Sequence, residues 1–338
     1  QVTIRRESEE AEGPPSEDSI VFTCTDIGNQ LIEMWVTDEA GNSDFCLTYV
    51  AVQDNNNLCP ETEDDEPAMG NIAGAITTRE GKKVEEVMVE VESNNPFATI
   101  TGADGFFVLL GIPLGSDYSI VPYKEDDLLN GVSTYDMILI SRHILGIKMF
   151  DSPYQYIAAD IDNSGNISTL DLIRLRKLVL QKDTALPNGN LPWRFVDASF
   201  VFPEDVNPLD VDFPERRDIQ NFSAANAKAD FVGIKIGDVN GSVRPNSVLQ
   251  SEARTTEGDM ILRVQDRAFG PGETFTVDVT SEDLFNLTGY QFTLKYDPRL
   301  LALVDITEGD LPRMSDENFG IDDTQQGLIT TSWSELND

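Results

Sequence analysis

Six residues in the middle of the chain place oxygen atoms at a regular spacing: Asp160, Asp162, Ser164, Asn166, Ser168 and Asp171. Counted from Asp160, side-chain oxygens fall at positions 1, 3, 5, 9 and 12, Gly165 stands at position 6, and Asn166 offers its main-chain carbonyl at position 7. Ca²⁺ takes six to eight hard oxygen ligands. A 12-residue loop supplies them at alternate positions, with the glycine permitting the sharp turn. A simple helix cap at Ser168 or Asp171 explains one or two of these residues but not the series. The chemistry expected here is calcium binding, and Ca²⁺ is the cofactor the sequence implies.

The segment recurs. Ser133-Thr134-Tyr135-Asp136-Met137-Ile138 aligns on Ser168-Thr169-Leu170-Asp171-Leu172-Ile173 at an offset of 35 residues. Each copy runs on into apolar residues at helical spacing: Met137, Ile140 and Ile144, then Leu172, Leu175, Leu178 and Val179. Carried back by the same offset, the loop predicts a second, poorer site at Glu125, Asp127, Gly131 and Asp136. Position 5 there is Leu129, which cannot ligate a cation, and the glycine comes one residue late. Either Asp126 or Asn130 substitutes through a shifted loop, or this site is weak or empty. Asp238-Val239-Asn240-Gly241 looks like the first four positions of another loop. No Asp or Glu follows it at the right distance, so it reads as a plain turn.

Position 12 is Asp rather than the Glu of a full EF-hand. A helix from Leu170 to about Leu180 follows the loop, and no convincing helix precedes it. This duplicated half-hand resembles dockerin domains. The resemblance implies a small helical module at 125–185, in which helix positions after the loop carry partner choice. Those positions include Tyr135, Ser141, Arg142, Arg174 and Lys177, and as residue types they also read as ordinary solvated helix surface.

A formal charge of −36 over 338 residues argues against nucleic acid or anionic membrane as a partner, since both require clustered Lys and Arg. The charge suits a medium rich in divalent cations. No run of 18 apolar residues is present, so no membrane insertion is expected. A catalytic role has little to stand on. The single histidine, His143, has no second His or Cys nearby for zinc, and there is no Gly-x-Ser-x-Gly, phosphate loop or His-Glu-x-x-His. Of the three cysteines, Cys24 and Cys46 lie in separate predicted strands and are spaced as disulfide partners. Cys59 falls in a linker, free or paired elsewhere, and three free thiols are the alternative.

These elements must be positioned by a mainly β fold of tandem β-sandwiches with the helical unit between them. Residues 1–57 carry a strand at Gln30–Val36, a turn at Thr37–Asn42 and a returning strand from Phe45 to Val52. They resemble the later part of an immunoglobulin-like sandwich. A linker follows at 58–69. Residues 70–124, with Thr101-Gly102-Ala103-Asp104-Gly105-Phe106 and a Gly115-Ser116-Asp117-Tyr118 turn, resemble a carboxypeptidase regulatory-like (transthyretin-like) sandwich. Residues 186–245 read as an irregular, aromatic-bearing extension packed on the helical unit. From 258 to 338 the Pro271-Gly272-Glu273 turn, Gly289-Tyr290-Gln291-Phe292, Tyr296-Asp297-Pro298 and Ile329-Thr330-Thr331-Ser332-Trp333 resemble an incomplete cohesin-like sandwich.

The order of modules resembles an excerpt of a large secreted surface protein of Bacteroidota, of the kind exported by the type IX route. That resemblance implies an extracellular or cell-surface, non-catalytic structural or adhesive protein, such as a calcium-stabilised stalk, filament or surface-layer component. The alternatives are a dockerin/cohesin-type scaffold and an accessory region of a secreted hydrolase. The partners it implies are other domains or copies of the same protein, including a homo-polymer, or cohesin-like and dockerin-like proteins.

Overall fold

The computed structural model describes residues 2–6, 13–38, 40–55, 58–59, 68–92, 97–246, 261–281 and 287–335. The fold is mainly β, and among the described residues three α-helices are gathered in one place. The N-terminal strands β1 (Val2–Arg6), β2 (Gly28–Thr37) and β3 (Ser43–Val52) form an antiparallel sheet in the order β1-β2-β3. Asp38 closes the β2–β3 hairpin by accepting hydrogen bonds from the Ala40 and Asn42 amides. Trp35 stacks on Phe45 across the pair at 4.7 Å, with the Arg5 guanidinium over its ring.

The disulfide joins Cys24 to Cys59, not Cys24 to Cys46 as the spacing predicts, and Cys46 is free and exposed. The β2–β3 register explains the correction. Gly28 pairs with Val52, so the chain before β2 and the chain after β3 leave the same end of the hairpin. Cys24 and Cys59 meet there, their Cα atoms 5.4 Å apart. Cys46 pairs with Met34, six residues up the ladder and so about 20 Å away. Most of the linker expected at 58–69 lies outside the described residues.

The central sandwich has two four-stranded sheets. Its strands are β4 (Met69–Thr78), β5 (Met88–Glu92), β6 (Phe97–Ile100), β7 (Phe106–Pro113), β8 (Tyr118–Tyr123), β9 (Trp193–Asp197), β10 (Arg217–Ile219) and β11 (Phe231–Lys235). The sheet orders are β10-β8-β5-β6 and β7-β4-β11-β9. The segment 186–245, expected as an irregular extension, therefore supplies three of the eight strands, and the sandwich does not end at residue 124. β11 pairs parallel to β4 and antiparallel to β9. Alternation along these strands sends Trp193, Phe195 and Phe231 into the core between the sheets, with Ile72, Ile76, Phe107 and Ile120.

The helical unit is inserted between β8 and β9. It holds α1 (Thr134–Ile144), α2 (Pro153–Ala159) and α3 (Thr169–Val179). Val196, Ile234 and Ile236 turn outward from the sandwich and join Met137, Ile140, Ile157, Leu175 and Leu178 in a second core. The sheet is thus covered on both faces where β9 and β11 lie. Helix α2 departs from the sequence expectation of no helix before the loop. At seven residues it is too short to show a period, although Ser152 as N-cap and Pro153 at the first helical position mark its start. His143 stacks on Phe150 and accepts a hydrogen bond from its amide, a packing role.

At the C-terminal end β12 (Arg263–Val264) pairs with β13 (Val279–Thr280). Strands β14 (Gly289–Lys295), β15 (Phe319–Gly320) and β16 (Leu328–Ser334) form an antiparallel sheet in the order β14-β16-β15.

Alkylation under native conditions is expected to label Cys46 alone, with Cys24 and Cys59 labelled only after reduction. Peptide mass mapping checks this. Cys59→Ser should cost about 4 kcal/mol of stability in denaturant unfolding, from the entropy of the 35-residue loop that the bond closes.

Candidate metal centre

Asp160 caps the end of α2 and Asp171 is the third residue of α3, so the loop between them is pinned by a helix on each side. The carboxylates of Asp160, Asp162 and Asp171 come within 4.8 Å of one another, and all three residues are buried. Each has a distinct local partner set. Asp160 Oδ1 accepts from the Ser164 amide and Oδ2 from the Gly165 amide, both at 2.9 Å. Gly165 makes the turn at φ 78°, a conformation that favours glycine. Asp171 closes a capping box with Ser168 through Oδ2, while its Oδ1 accepts from the amides of Ile161 and Asp162. Asn188 and Asn190 brace the loop from β9's side by donating to the carbonyls of Asp160, Ile161 and Asp162.

Asp162 breaks the pattern. Its Oδ1 is shielded from solvent and accepts no hydrogen bond. A buried carboxylate oxygen without a partner is costly, and three acidic groups sharing one pocket add mutual repulsion. A cation answers both. The donor set of carboxylates, the Ser164 and Ser168 hydroxyls and the Asn166 carbonyl is all hard oxygen, the chemistry of Ca²⁺ rather than of zinc or copper. The residues present fit the ion.

The structure does not assemble the first copy as predicted. Glu125 is exposed and accepts a hydrogen bond from the Tyr123 hydroxyl, Asp126 pairs with Lys124, and Asp127 is exposed. Asp136 is fully buried at the start of α1, in a capping box with Ser133. Its other oxygen, Oδ1, accepts from the amides of Val239 and Asn240 and not from the Glu125–Asp127 stretch. Of the residues predicted for the second site, only Gly131 and Asp136 lie at this place.

Burial raises the carboxyl pKa of Asp136, Asp160, Asp171 and Asp238. Asp136 is pushed up to about 7 by desolvation and then by the negative charge of Asp238. Asp160 and Asp171 are raised chiefly by desolvation, with a smaller push from Asp162. Asp238 is raised chiefly by desolvation as well.

The helical unit also seats on the C-terminal sheet. The first amides of a helix and its last carbonyls have no partner within it, and here strands supply them. At the start of α1 the Thr134 amide donates to Gln291 Oε1 at 3.1 Å, and the Thr134 hydroxyl lies 2.8 Å from Ser332 Oγ. At the end of α3 the Leu180 carbonyl accepts from Thr330 Oγ1 at 2.7 Å. A Cβ on Gly320 would lie 2.1 Å from that carbonyl, so only glycine permits the approach. Ile138 rests against Gly289. Sequence reasoning missed Thr134, Ile138 and Leu180. It looked instead to Tyr135, Ser141, Arg142, Arg174 and Lys177, of which Tyr135 is half exposed.

Compared with known families, residues 262–337 match the Cohesin domain. No curated protein and no solved structure matches the chain. The match covers the sheet on which α1 and α3 sit. Among the described residues no helix is long and apolar enough to cross a membrane.

Two outcomes are expected. At a free calcium concentration 100 times the Kd of the Asp160 loop, that loop should add about 2.7 kcal/mol to native stability, the part of the calcium-dependent rise in melting temperature that Asp162→Ala removes. In EDTA, stability should increase as pH falls from 7.5 to 5.5. In that window the folded chain retains protons on its raised carboxyls that the unfolded chain has released. Calcium should reverse the slope, because protons compete with it for the same oxygens. His143, lowered by burial, contributes with the opposite sign. The comparison is therefore with Asp136→Asn, whose melting temperature in EDTA should lose most of the acid-side gain.

Proposed function

We propose that the chain is a non-catalytic docking scaffold of the extracellular space or cell surface, in which a calcium-stapled helical unit seats in cis on the cohesin domain. The observation behind this is the seat itself, where Thr134 and Leu180 place helix-end groups against Ser332, Gln291 and Thr330. A surface that caps another element's unpaired main-chain groups is specific in register as well as affinity, because a displacement of one residue leaves buried polar groups unmatched. Calcium enters by fixing the helix starts, since metal binding and local folding are coupled.

The Cys24–Cys59 bond supports an oxidising compartment, and the charge of −36 supports a cation-rich one. Docking in cis also supports the stalk or filament reading. The insertion of the helical unit ties it to the sandwich through two chain crossings, and the seat then fixes the cohesin domain to the same body. The order of modules, read with its resemblance to Bacteroidota surface proteins, supports a place within a larger exported chain.

The test is a cross-link. In a Cys46→Ser background, Thr134→Cys with Ser332→Cys should form an intramolecular disulfide in oxidising buffer with calcium, seen as a reduction-sensitive mobility shift of the monomer. Failure to cross-link would sink the docking model. Cross-linked dimers in place of monomers would move the docking from cis to trans.

A further inference from the structure

We infer that a second Ca²⁺ site is assembled from two distant stretches of chain, Asp238–Val243 and Gly131–Asp136, as a 12-position loop cut between positions 6 and 7. The continuous loop at Asp160 provides the template, and the correspondence runs through the main-chain and side-chain bonds in order. Asp238 Oδ1 accepts from the Ser242 amide and Oδ2 from the Val243 amide, as Asp160 accepts from Ser164 and Gly165. Asp136 Oδ1 accepts from the Val239 and Asn240 amides, as Asp171 accepts from Ile161 and Asp162. Ser242 Oγ donates to the Gly131 carbonyl, as Ser164 Oγ donates to the Asn166 carbonyl. Gly131 and Asn166 are related by the same 35-residue offset as Asp136 and Asp171.

Hydrogen bonds alone would describe only a well-made turn. What points to an ion is the oxygen left over. Asn240 Oδ1, at position 3, is shielded from solvent and has no hydrogen-bond partner, and so is Asp162 Oδ1 at position 3 of the continuous loop. The two orphaned oxygens occupy the same place in the two copies. Beside Asn240, Asp136 and Asp238 bury two like-charged carboxylates at 0 % and 7 % exposure. The nearby ammonium groups are engaged by carbonyls: Lys82 by Gly241 and Val243, Lys235 by Leu128 and Ile236. A cation held by Asp238, Asn240, Asp136, the Gly131 carbonyl and the two serine hydroxyls would satisfy the orphan and relieve the repulsion.

The cut is closed by side chains. Asn130 bonds the main chain of Arg244 in both directions, Nδ2 to its carbonyl and Oδ1 from its amide. Gly131 has φ 80°, and a Cβ there would lie within 2.8 Å of Val243 and Asp238 Oδ2, so the strands of the split loop meet only because this residue is glycine. Two carboxylates and an amide stand where the continuous loop has three carboxylates. Since affinity follows ligand charge, the split site should be the weaker one.

The inference rests on the calcium reading of the Asp160 loop for the identity of the ion, and the experiment separates the two. The full chain is stripped with EDTA and titrated with CaCl₂ by calorimetry and equilibrium dialysis. Two ions per chain are expected. Asn240→Ala should remove the weaker, Asp162→Asn should remove the tighter, and each variant should keep the other. Asn240→Asp, which adds a carboxylate without removing a contact, should retain both and tighten the weaker step. A single ion that survives Asn240→Ala and disappears with Asp162→Asn would overturn the split site and leave the first standing. No ion in the wild-type chain would overturn both. An Asn240→Asp variant with unchanged binding would also count against the split site, and this reading does not depend on how well Asn240→Ala folds.

Discussion

Two aspartates set the terms for the centre of this molecule. Asp136 and Asp171 sit at the third position of α1 and α3, each with none of its surface exposed. A carboxylate there favours the helix start by capping free amides and opposing the helix dipole. The same burial makes its charge expensive, and a second aspartate beside each, Asp238 for Asp136 and Asp162 for Asp171, raises the cost further. A chain with this arrangement must either hold protons it would otherwise release or take up cations. The proposed calcium sites follow from that constraint, and so does the need for the surrounding loops to deliver oxygen atoms in a fixed order.

The topology follows from the same need. For the turn at Asp238 to reach α1, the chain must return past the helical unit after completing the sandwich, and it does so by way of β11, laid parallel to β4. That strand and the residue after it place Ile234 and Ile236 under the helices while Phe231 remains in the sandwich core. One short strand therefore joins two cores and delivers the turn that ends at Asp136. Inserting a helical unit between β8 and β9 would otherwise leave it hinged on two linkers. Here it is tied at its base by the shared core and at its helix starts by the loops.

What could be read from the sequence was what lies close in sequence. The Asp160 loop, α1, α3 and strands such as β2, β3, β8, β14 and β16 announce themselves within a dozen residues, through ligand spacing or apolar period. What could not be read depends on returns of the chain. The side chain of Asp230 accepts from the Ala75 amide 155 residues away, and nothing local to either segment marks that pairing. Cys59 finds Cys24 because the hairpin brings both ends to one place. The Asp238 turn looked abandoned because its acidic partner was sought downstream, whereas Asp136 lies about a hundred residues upstream. The short helix α2 carried its cap and its proline but too few turns to show a period.

The seat on the C-terminal sheet ties these points together. Position 9 of the split loop is Ser133 and position 12 is Asp136; between them Thr134, at position 10, donates to the C-terminal sheet. Any cation held at this loop fixes the residue that docks. The other copy carries the same residue types at the two contact positions of the helix start, Thr169 and Ile173 against Thr134 and Ile138, yet Thr169 and Ile173 are exposed. Side-chain chemistry therefore cannot be what selects α1 over α3. The choice comes from geometry. The antiparallel arrangement that brings the start of α1 beside the end of α3 lets one sheet cap both through Gln291 and Thr330. Chain connectivity then decides which of the two equivalent ends the sheet can reach.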